Sequence, residues 1–86
     1  MIYDVQLVLR NSFGKFAGKW ATIDEEKLNV LIEMSKTFYA SGGFELTCED
    51  DTFIVFQPEI VSKSILIINK KLSEQSEENN EENVQE

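Results

Sequence analysis

The stretch that decides the fold is residues 23–57, IDEEKLNVLIEMSKTFYASGGFELTCEDDTFIVFQ. Apolar residues recur at helical spacing in its first half and alternate with polar residues in its second half, and Gly42 and Gly43 separate the two halves. This change of period from 3.6 to 2 predicts a helix followed by a β-hairpin. Because an amphipathic helix needs a surface on which to bury its apolar face, we expect the flanking segments to supply further strands.

The helix has a well-defined predicted start. Asp24 is a favourable N-cap residue, and Glu25 and Glu26 place negative charge on the first turn, where the helix dipole stabilises it. Ile23 and Leu28 flank the cap at the spacing of a hydrophobic staple. The glycine pair supplies the C-terminal stop. The predicted stripe that faces the sheet consists of Leu28, Leu31, Ile32, Ser35, Phe38 and Tyr39, widened on one flank by Val30 and Met34.

The residues before the helix are predicted to form strands. Residues 2–10 are rich in β-formers, and their pattern predicts a strand that is buried fully on one face and partly on the other. Residues 11–15 carry turn chemistry, with Gly14 free to adopt a positive φ. Residues 16–22 alternate loosely and are predicted to return as a second, antiparallel strand, although Gly18 weakens this pattern.

The residues after the helix complete the predicted sheet. Residues 44–48 alternate strictly, and residues 53–57 are predicted to pair with them across an acidic turn. Pro58 ends the second of these strands because it has no N–H for the ladder, and it suits the first position of a single helical turn. Residues 64–69 form the last predicted strand, apolar enough to be central or covered on both faces, and two lysines follow it.

This order, β(β)αβββ, predicts an α+β fold in which one amphipathic helix packs on a mostly antiparallel sheet of four to five strands. The foldable part is residues 1–72, one domain whose small size implies a thin stability margin. Formation of a homodimer is one arrangement that would increase this stability. Residues 73–86 carry six glutamates and no lysine or arginine, which is −6 of the formal net charge of −8. We therefore expect a disordered acidic tail that is dispensable for folding.

The composition excludes several classes of function. The chain has no histidine and one cysteine, Cys48, which rules out the usual structural zinc sites, internal disulfides and histidine-assisted nucleophiles. Its N-terminus does not resemble a signal peptide, and its longest apolar runs are four residues, far short of a membrane span. The expected protein is cytoplasmic, has no membrane partner and needs no metal or cofactor.

One segment, residues 13–20, is a candidate binding site. Its GKFAGKW portion fails as a phosphate-binding loop because three residues, not four, separate the glycines and a tryptophan occupies the place of the magnesium-binding hydroxyl. Aromatic and basic residues nevertheless interleave here, a pattern that serves single-stranded nucleic acid as well as protein partners. The same aromatic residues could instead cap the core while the lysines reach into solvent. The candidate site residues are Phe13, Lys15, Phe16, Lys19 and Trp20.

The remaining polar or reactive residues favour structural roles. The carboxylates at positions 49–51 lack the alternating ligands and the glycine of a calcium loop, so they are interpreted as a solvated hairpin tip. Cys48 lies on the apolar face of its strand and is expected to be a small buried hydrophobic residue. Tyr3 and Tyr39 lie on apolar stripes and are expected in the core.

The sequence as a whole favours a non-enzymatic function. We expect a small protein-binding domain that acts as an adaptor or inhibitor by docking on another protein, a class that includes proteins of phages and mobile elements. The alternative is a binder of single-stranded nucleic acid or nucleotides that uses residues 13–20. The charge of the chain favours the first hypothesis, since nucleic-acid modules usually have a strong basic bias.

Overall fold

A computed structural model describes residues 1–73 of the chain, and it has the α+β architecture predicted from the sequence. Residues 74–86, which hold almost all of the predicted acidic tail, lie outside the described residues. The elements in chain order are β1 (Ile2–Asn11), β2 (Gly14–Ala17), β3 (Ala21–Asp24), α1 (Glu25–Ser35), a 3₁₀ turn (Phe38–Ala40), β4 (Phe44–Thr47), β5 (Phe53–Phe56), α2 (Pro58–Val61) and β6 (Ile65–Leu72).

The main sheet has four antiparallel strands, and β1 lies at its centre. One edge of β1 pairs with β6 along eight residues, from Tyr3 opposite Leu72 to Arg10 opposite Ile65. The other edge is shared by β2 and β3, which pair with the two ends of β1 in turn. The last strand is therefore at the edge of the sheet rather than central. It also continues through the two lysines that were expected to follow it, because β1 is long enough to pair with them.

The predicted strand over residues 16–22 is divided in two by a bulge. Between the β2 ladder and the β3 ladder, β1 contributes two residues whereas the partner segment contributes three, residues 18–20. An extra residue on one strand of an antiparallel pair bends that strand and redirects its side chains. At this bend the Gly18 N–H donates to the Leu7 carbonyl at 2.8 Å, and the buried Gln6 side chain donates to the Gly18 carbonyl at 3.0 Å.

A second, two-stranded sheet is formed by β4 and β5, as the alternation of residues 44–48 and 53–57 predicted. It meets the main sheet at a single bridge between Gly18 and Cys48, where the Lys19 N–H donates to the Thr47 carbonyl at 3.1 Å. A β-carbon at position 18 would lie 2.7 Å from Leu46 Cδ1 and 3.0 Å from the Leu7 carbonyl oxygen. The contact between the two sheets therefore leaves little room for a side chain at its centre.

The core lies between the main sheet, the β4–β5 hairpin and α2. Aromatic edge-to-face contacts stabilise it, with ring centroids 5.3 Å apart for Phe16 and Phe56 and 4.9 Å apart for Phe38 and Phe44. Pro58 occupies the first turn of α2, as predicted. The buried residues of this cluster are Leu9, Phe38, Leu46, Phe56 and Val61.

Helix α1 starts where the sequence predicts but ends earlier. The Asp24 carboxylate accepts a hydrogen bond from the Lys27 N–H at 2.8 Å, which confirms the N-cap. The helix ends at Ser35, whose hydroxyl donates to the Ile32 carbonyl at 2.6 Å, and a 3₁₀ turn follows. Because a 3₁₀ turn has three residues per turn, the helical spacing no longer holds beyond Ser35. Phe38 remains buried, but Tyr39 is exposed, so its assignment to the core was wrong.

Candidate protein-binding surface

The tip of the β1–β2 hairpin displays the first two candidate residues. Phe13 is 73% exposed in the turn, and its N–H donates to the Asn11 side-chain oxygen at 2.8 Å. Lys15 follows on β2, exposed and opposite Arg10 of β1. This end of the sheet therefore presents one free aromatic ring beside two cationic side chains.

Phe16 belongs to the core instead. It is half-buried, pairs with the fully buried Leu9 across the sheet and contacts the Phe56 ring edge-to-face. Its ring joins β2 to the β4–β5 hairpin, and its exposed part lines a shallow concavity between them.

The bulge at residues 18–20 turns the last two candidates in different directions. The Lys19 ammonium forms an ion pair with the Asp51 carboxylate at the tip of the β4–β5 hairpin. Trp20 is 43% exposed, and the Lys71 Nζ atom lies 4.9 Å from the centroid of its ring, within cation–π range. Two of the groups that suggested a nucleic-acid surface thus already have partners within the protein.

The five candidates do not form one continuous patch. Phe13 lies beyond the Asn11 end of the sheet, whereas Trp20 lies beside the pair of Val5 and Ala21. Val5 and Asn11 are six positions apart on β1, which corresponds to about 20 Å along a strand. The structure therefore gives two separate surface sites, one at each end of residues 13–20.

A cleft of about 410 Å³ lies beside the bulge, between α1, the main sheet and β4. Its volume is within the range of small ligand pockets, and its lining is almost entirely apolar. The charged residues of the lining are Lys19 and Lys27. The apolar lining includes Val5, Leu7, Ile23, Leu31, Met34 and Leu46.

The cleft lies beside the bridge at which the two sheets meet, and Gly18 of that bridge lines it. Helix α1 covers the main sheet only partly, since Leu28 is buried whereas Leu31 and Ile32 are half-buried. Val30 and Met34, also in the lining, remain mostly exposed at the rim. The helical spacing predicts these two residues on the flank of a buried stripe. The predicted apolar stripe of α1 is too wide for one sheet face, and this width indicates that part of the stripe stays uncovered.

Local contacts set the chemistry of the acidic turn and of the cysteine beside it. The Asp50 carboxylate accepts a hydrogen bond from the Thr52 N–H at 3.0 Å, and this bond holds the pKa of Asp50 below its ordinary value. Burial, with the charges of Asp50 and Glu49, raises the pKa of the half-buried Cys48 thiol. Cys48 is therefore a weak nucleophile at neutral pH. Within residues 1–73, no cluster of three or more acidic, histidine or cysteine side chains could hold a metal ion.

The described residues thus define a small α+β domain with an open apolar cleft. Neither helix in this part of the chain has the length and hydrophobicity needed to cross a membrane. Comparisons with protein families, with characterised proteins and with solved structures found no match to this chain.

Proposed function

We propose that this protein is a small non-enzymatic binding domain, an adaptor or inhibitor that docks another protein into the cleft beside α1. The observation that carries the proposal is the cleft itself, an apolar concavity whose rim displays Val30 and Met34. Apolar side chains that remain exposed around a concavity are typical of interaction sites. Methionine suits such a site because its flexible thioether adapts to the shape of a partner.

The chemistry of the cleft defines the kind of partner segment that fits. Its floor would accept apolar side chains, and Lys19 and Lys27 would favour acidic residues beside them. An amphipathic helix with apolar residues at i, i+3 and i+4 and carboxylates on its flank meets both requirements. The ion pair of Lys19 with Asp51 leaves Lys27 as the more available cation, since no ion pair of Lys27 is formed within the described residues.

An enzymatic function has less support. The chain has no histidine, and the raised pKa of Cys48 keeps its thiol protonated at neutral pH. The single cysteine, which cannot form an internal disulfide, fits a reducing compartment, and we place the protein in the cytoplasm on that ground.

The alternative of single-stranded nucleic-acid binding rests on Phe13, Lys15 and Arg10 at the hairpin tip. It is weaker because Phe16 packs in the core and Trp20 is engaged by Lys71. Stacking platforms use several successive aromatic rings, and one free ring at this tip is a minimal surface of that kind. The described residues also carry ten acidic and eight basic side chains, a net charge of −2 that does not attract phosphate.

The test begins with a photo-crosslinking residue at Met34, which captures the partner from the native host. The captured protein is then purified and titrated against Met34→Lys and against Tyr39→Lys, a control that places the same charge at an equally exposed position outside the cleft lining. We expect Met34→Lys to weaken binding at least about tenfold and Tyr39→Lys to leave it within about twofold.

Equal affinities of the Met34→Lys variant and the unaltered protein would contradict docking in the cleft. Tight binding of mixed oligonucleotides at low salt, lost on Lys15→Glu, would instead support the nucleic-acid alternative. Both variants replace exposed side chains, so thermal melting is expected to show an unchanged fold.

A further inference from the structure

The outer edge of β5 is an unpaired strand edge with large apolar side chains beside it. In the described residues β5 pairs with β4 alone, and its other edge is open. Phe53 is 59% exposed and Val55 is 53% exposed, whereas Ile54 and Phe56 face the core. Phe53 and Val55 lie on the same face of the strand, since side chains alternate along it.

The backbone groups that point outward can be assigned from the ladder. The Cys48 N–H donates to the Thr52 carbonyl at 2.8 Å, so these two residues form a hydrogen-bonded pair. Because hydrogen-bonded pairs alternate with non-hydrogen-bonded pairs, Ile54 bonds to β4 whereas Phe53 and Val55 direct their N–H and C=O groups outward. The open edge therefore offers two donors and two acceptors beside its two most exposed side chains.

Native proteins usually protect such an edge with charged side chains or proline, with a bulge, or by keeping the strand short. Charged residues and proline are the protection that a strand's own side chains supply. Five of the six strands in residues 1–73 contain at least one of these residues, and the edge strand β6 carries Lys70 and Lys71. The sequence of β5, FIVF, contains none of them. The shortness of β5 limits the edge, but no side chain of β5 opposes pairing, so the edge is a template for a partner strand.

We propose that the partner is β5 of a second copy of this chain, paired antiparallel across a two-fold axis to form the four-stranded sheet β4–β5–β5–β4. Such an axis is perpendicular to the sheet, and at the axis the same residue of the two copies lies directly opposite. With Ile54 at this position, Phe53 of each copy forms a hydrogen-bonded pair with Val55 of the other. All four outward groups of each strand are then used.

A second copy fits this edge better than an unrelated strand for three reasons. The pairing creates two cross-strand contacts between an aromatic and a β-branched residue, a favourable combination, and it sets no charged residues of β5 against each other. A two-stranded sheet is marginal in water, and dimerisation extends it to four strands. The edge is also independent of the proposed docking cleft, because β5 lies on the side of β4 opposite the bond between Thr47 and Lys19.

The oligomeric state of the full chain tests the proposal. Sedimentation velocity over a concentration series is expected to show a monomer–dimer equilibrium, with dissociation in the micromolar range because the paired strands are short. Val55→Lys is expected to weaken dimerisation at least about tenfold by placing a charge on the covered edge. Ile65→Lys, at a similarly exposed isoleucine on the β6 edge, is expected to have no effect. Circular dichroism checks that both variants keep the monomer fold.

Disulfide cross-linking tests the register. In a Cys48→Ser background, a mixture of Phe53→Cys and Val55→Cys chains is expected to form disulfide-linked heterodimers, because the Cα atoms of such a hydrogen-bonded pair lie about 5.5 Å apart. Each variant alone is expected to cross-link poorly. A protein that stays monomeric at all concentrations would overturn the proposal, as would a dimer disrupted by Ile65→Lys and not by Val55→Lys. Efficient self-cross-linking of Val55→Cys alone would overturn the register.

Discussion

Substitution of Gly18 by alanine tests whether the contact between the two sheets is as close as the structure shows. The added methyl group would lie 2.7 Å from Leu46 Cδ1 and 3.0 Å from the Leu7 carbonyl oxygen. The Leu7 carbonyl belongs to the backbone and cannot easily move away, whereas the Leu46 side chain would have to turn toward the cleft that it lines. Leu46 is buried in the core cluster, and the Leu7 carbonyl accepts the Gly18 N–H at 2.8 Å.

The expected cost follows from two opposing effects. Forcing an extra methyl group into a packed site typically costs about 1–3 kcal/mol. Replacing glycine by alanine also restricts the unfolded chain, which stabilises the protein by about 0.4–1 kcal/mol. Crowding is the larger effect, so we expect Gly18→Ala to lower the free energy of unfolding by about 1–2 kcal/mol. In a domain of this size that corresponds to a decrease in Tm of roughly 5–15 °C.

Urea denaturation in a double-mutant cycle isolates the cause. Leu46→Val removes the atom closest to the new methyl group, so the double variant is expected to be more stable than the sum of the single effects by at least about 0.5 kcal/mol. A Gly18→Ala variant as stable as the parent would refute the close approach of the sheets. Additivity of the two substitutions would refute the assignment of the strain to Leu46.

The remaining predictions concern α1 and the thiol. Leu28→Ala is expected to lower the free energy of unfolding by about 2–4 kcal/mol because Leu28 is 3% exposed. Leu31→Ala, at the cleft wall, should lower it by about 1 kcal/mol or less. Equal losses for the two variants in urea denaturation would mean that the cleft is closed. Since the pKa of Cys48 is raised above its ordinary value of 9.0, its contribution to stability is complete below pH 9.0 and is lost as the pH rises through the folded-state pKa. The parent should therefore lose stability at alkaline pH relative to Cys48→Ser, and Glu49→Gln should reduce this difference. Parallel profiles of stability against pH for the parent and Cys48→Ser would contradict a raised pKa of Cys48 in the folded protein.

The start of α1 and the β4–β5 hairpin could be predicted because local chemistry determines them. Asp24 satisfies a backbone N–H of the first helical turn, and the strict alternation after the glycines permits only one buried face. The end of α1 was harder to predict from the sequence. Apolar periodicity continues to Tyr39, but the Ser35 hydroxyl competes for a helical carbonyl and the chain tightens into a 3₁₀ turn.

The bulge and the position of β6 depend on which strands pair, and single-strand patterns do not contain this information. Gly18 was recognised as a weak point in a strand, but its role depends on Leu46, which is distant in sequence and close in space. The apolar run in β6 predicted a strand that is central or covered on both faces. The residues of this run are instead half-buried or, at Ile65, exposed at an edge, because β1 takes the central position with both edges paired.

The candidate site was less predictable than the fold for the same reason. The interleaved aromatic and basic residues are real features of the sequence, but contacts made elsewhere decide which of them are displayed. Phe16 packs against Phe56, Lys71 lies over the Trp20 ring, and Asp51 pairs with Lys19. The width of the apolar stripe indicates that part of α1 stays uncovered, but the cleft could not be located from it, because the cleft lies between elements that meet at one bridge between the two sheets.

The open cleft and the unprotected β5 edge have a common physical origin. A domain of this size buries only about 60–65% of the surface of its unfolded chain, so it cannot cover every apolar face that its strands and helix create. Here the main core takes one end of the sheet, and Val30, Met34, Phe53 and Val55 are left outside it. Scattered exposed apolar residues need no explanation. These four are concentrated at a concavity and along a bare strand edge, and each place has the geometry of a different kind of interface, which is why the variants at Met34 and Val55 are expected to act independently.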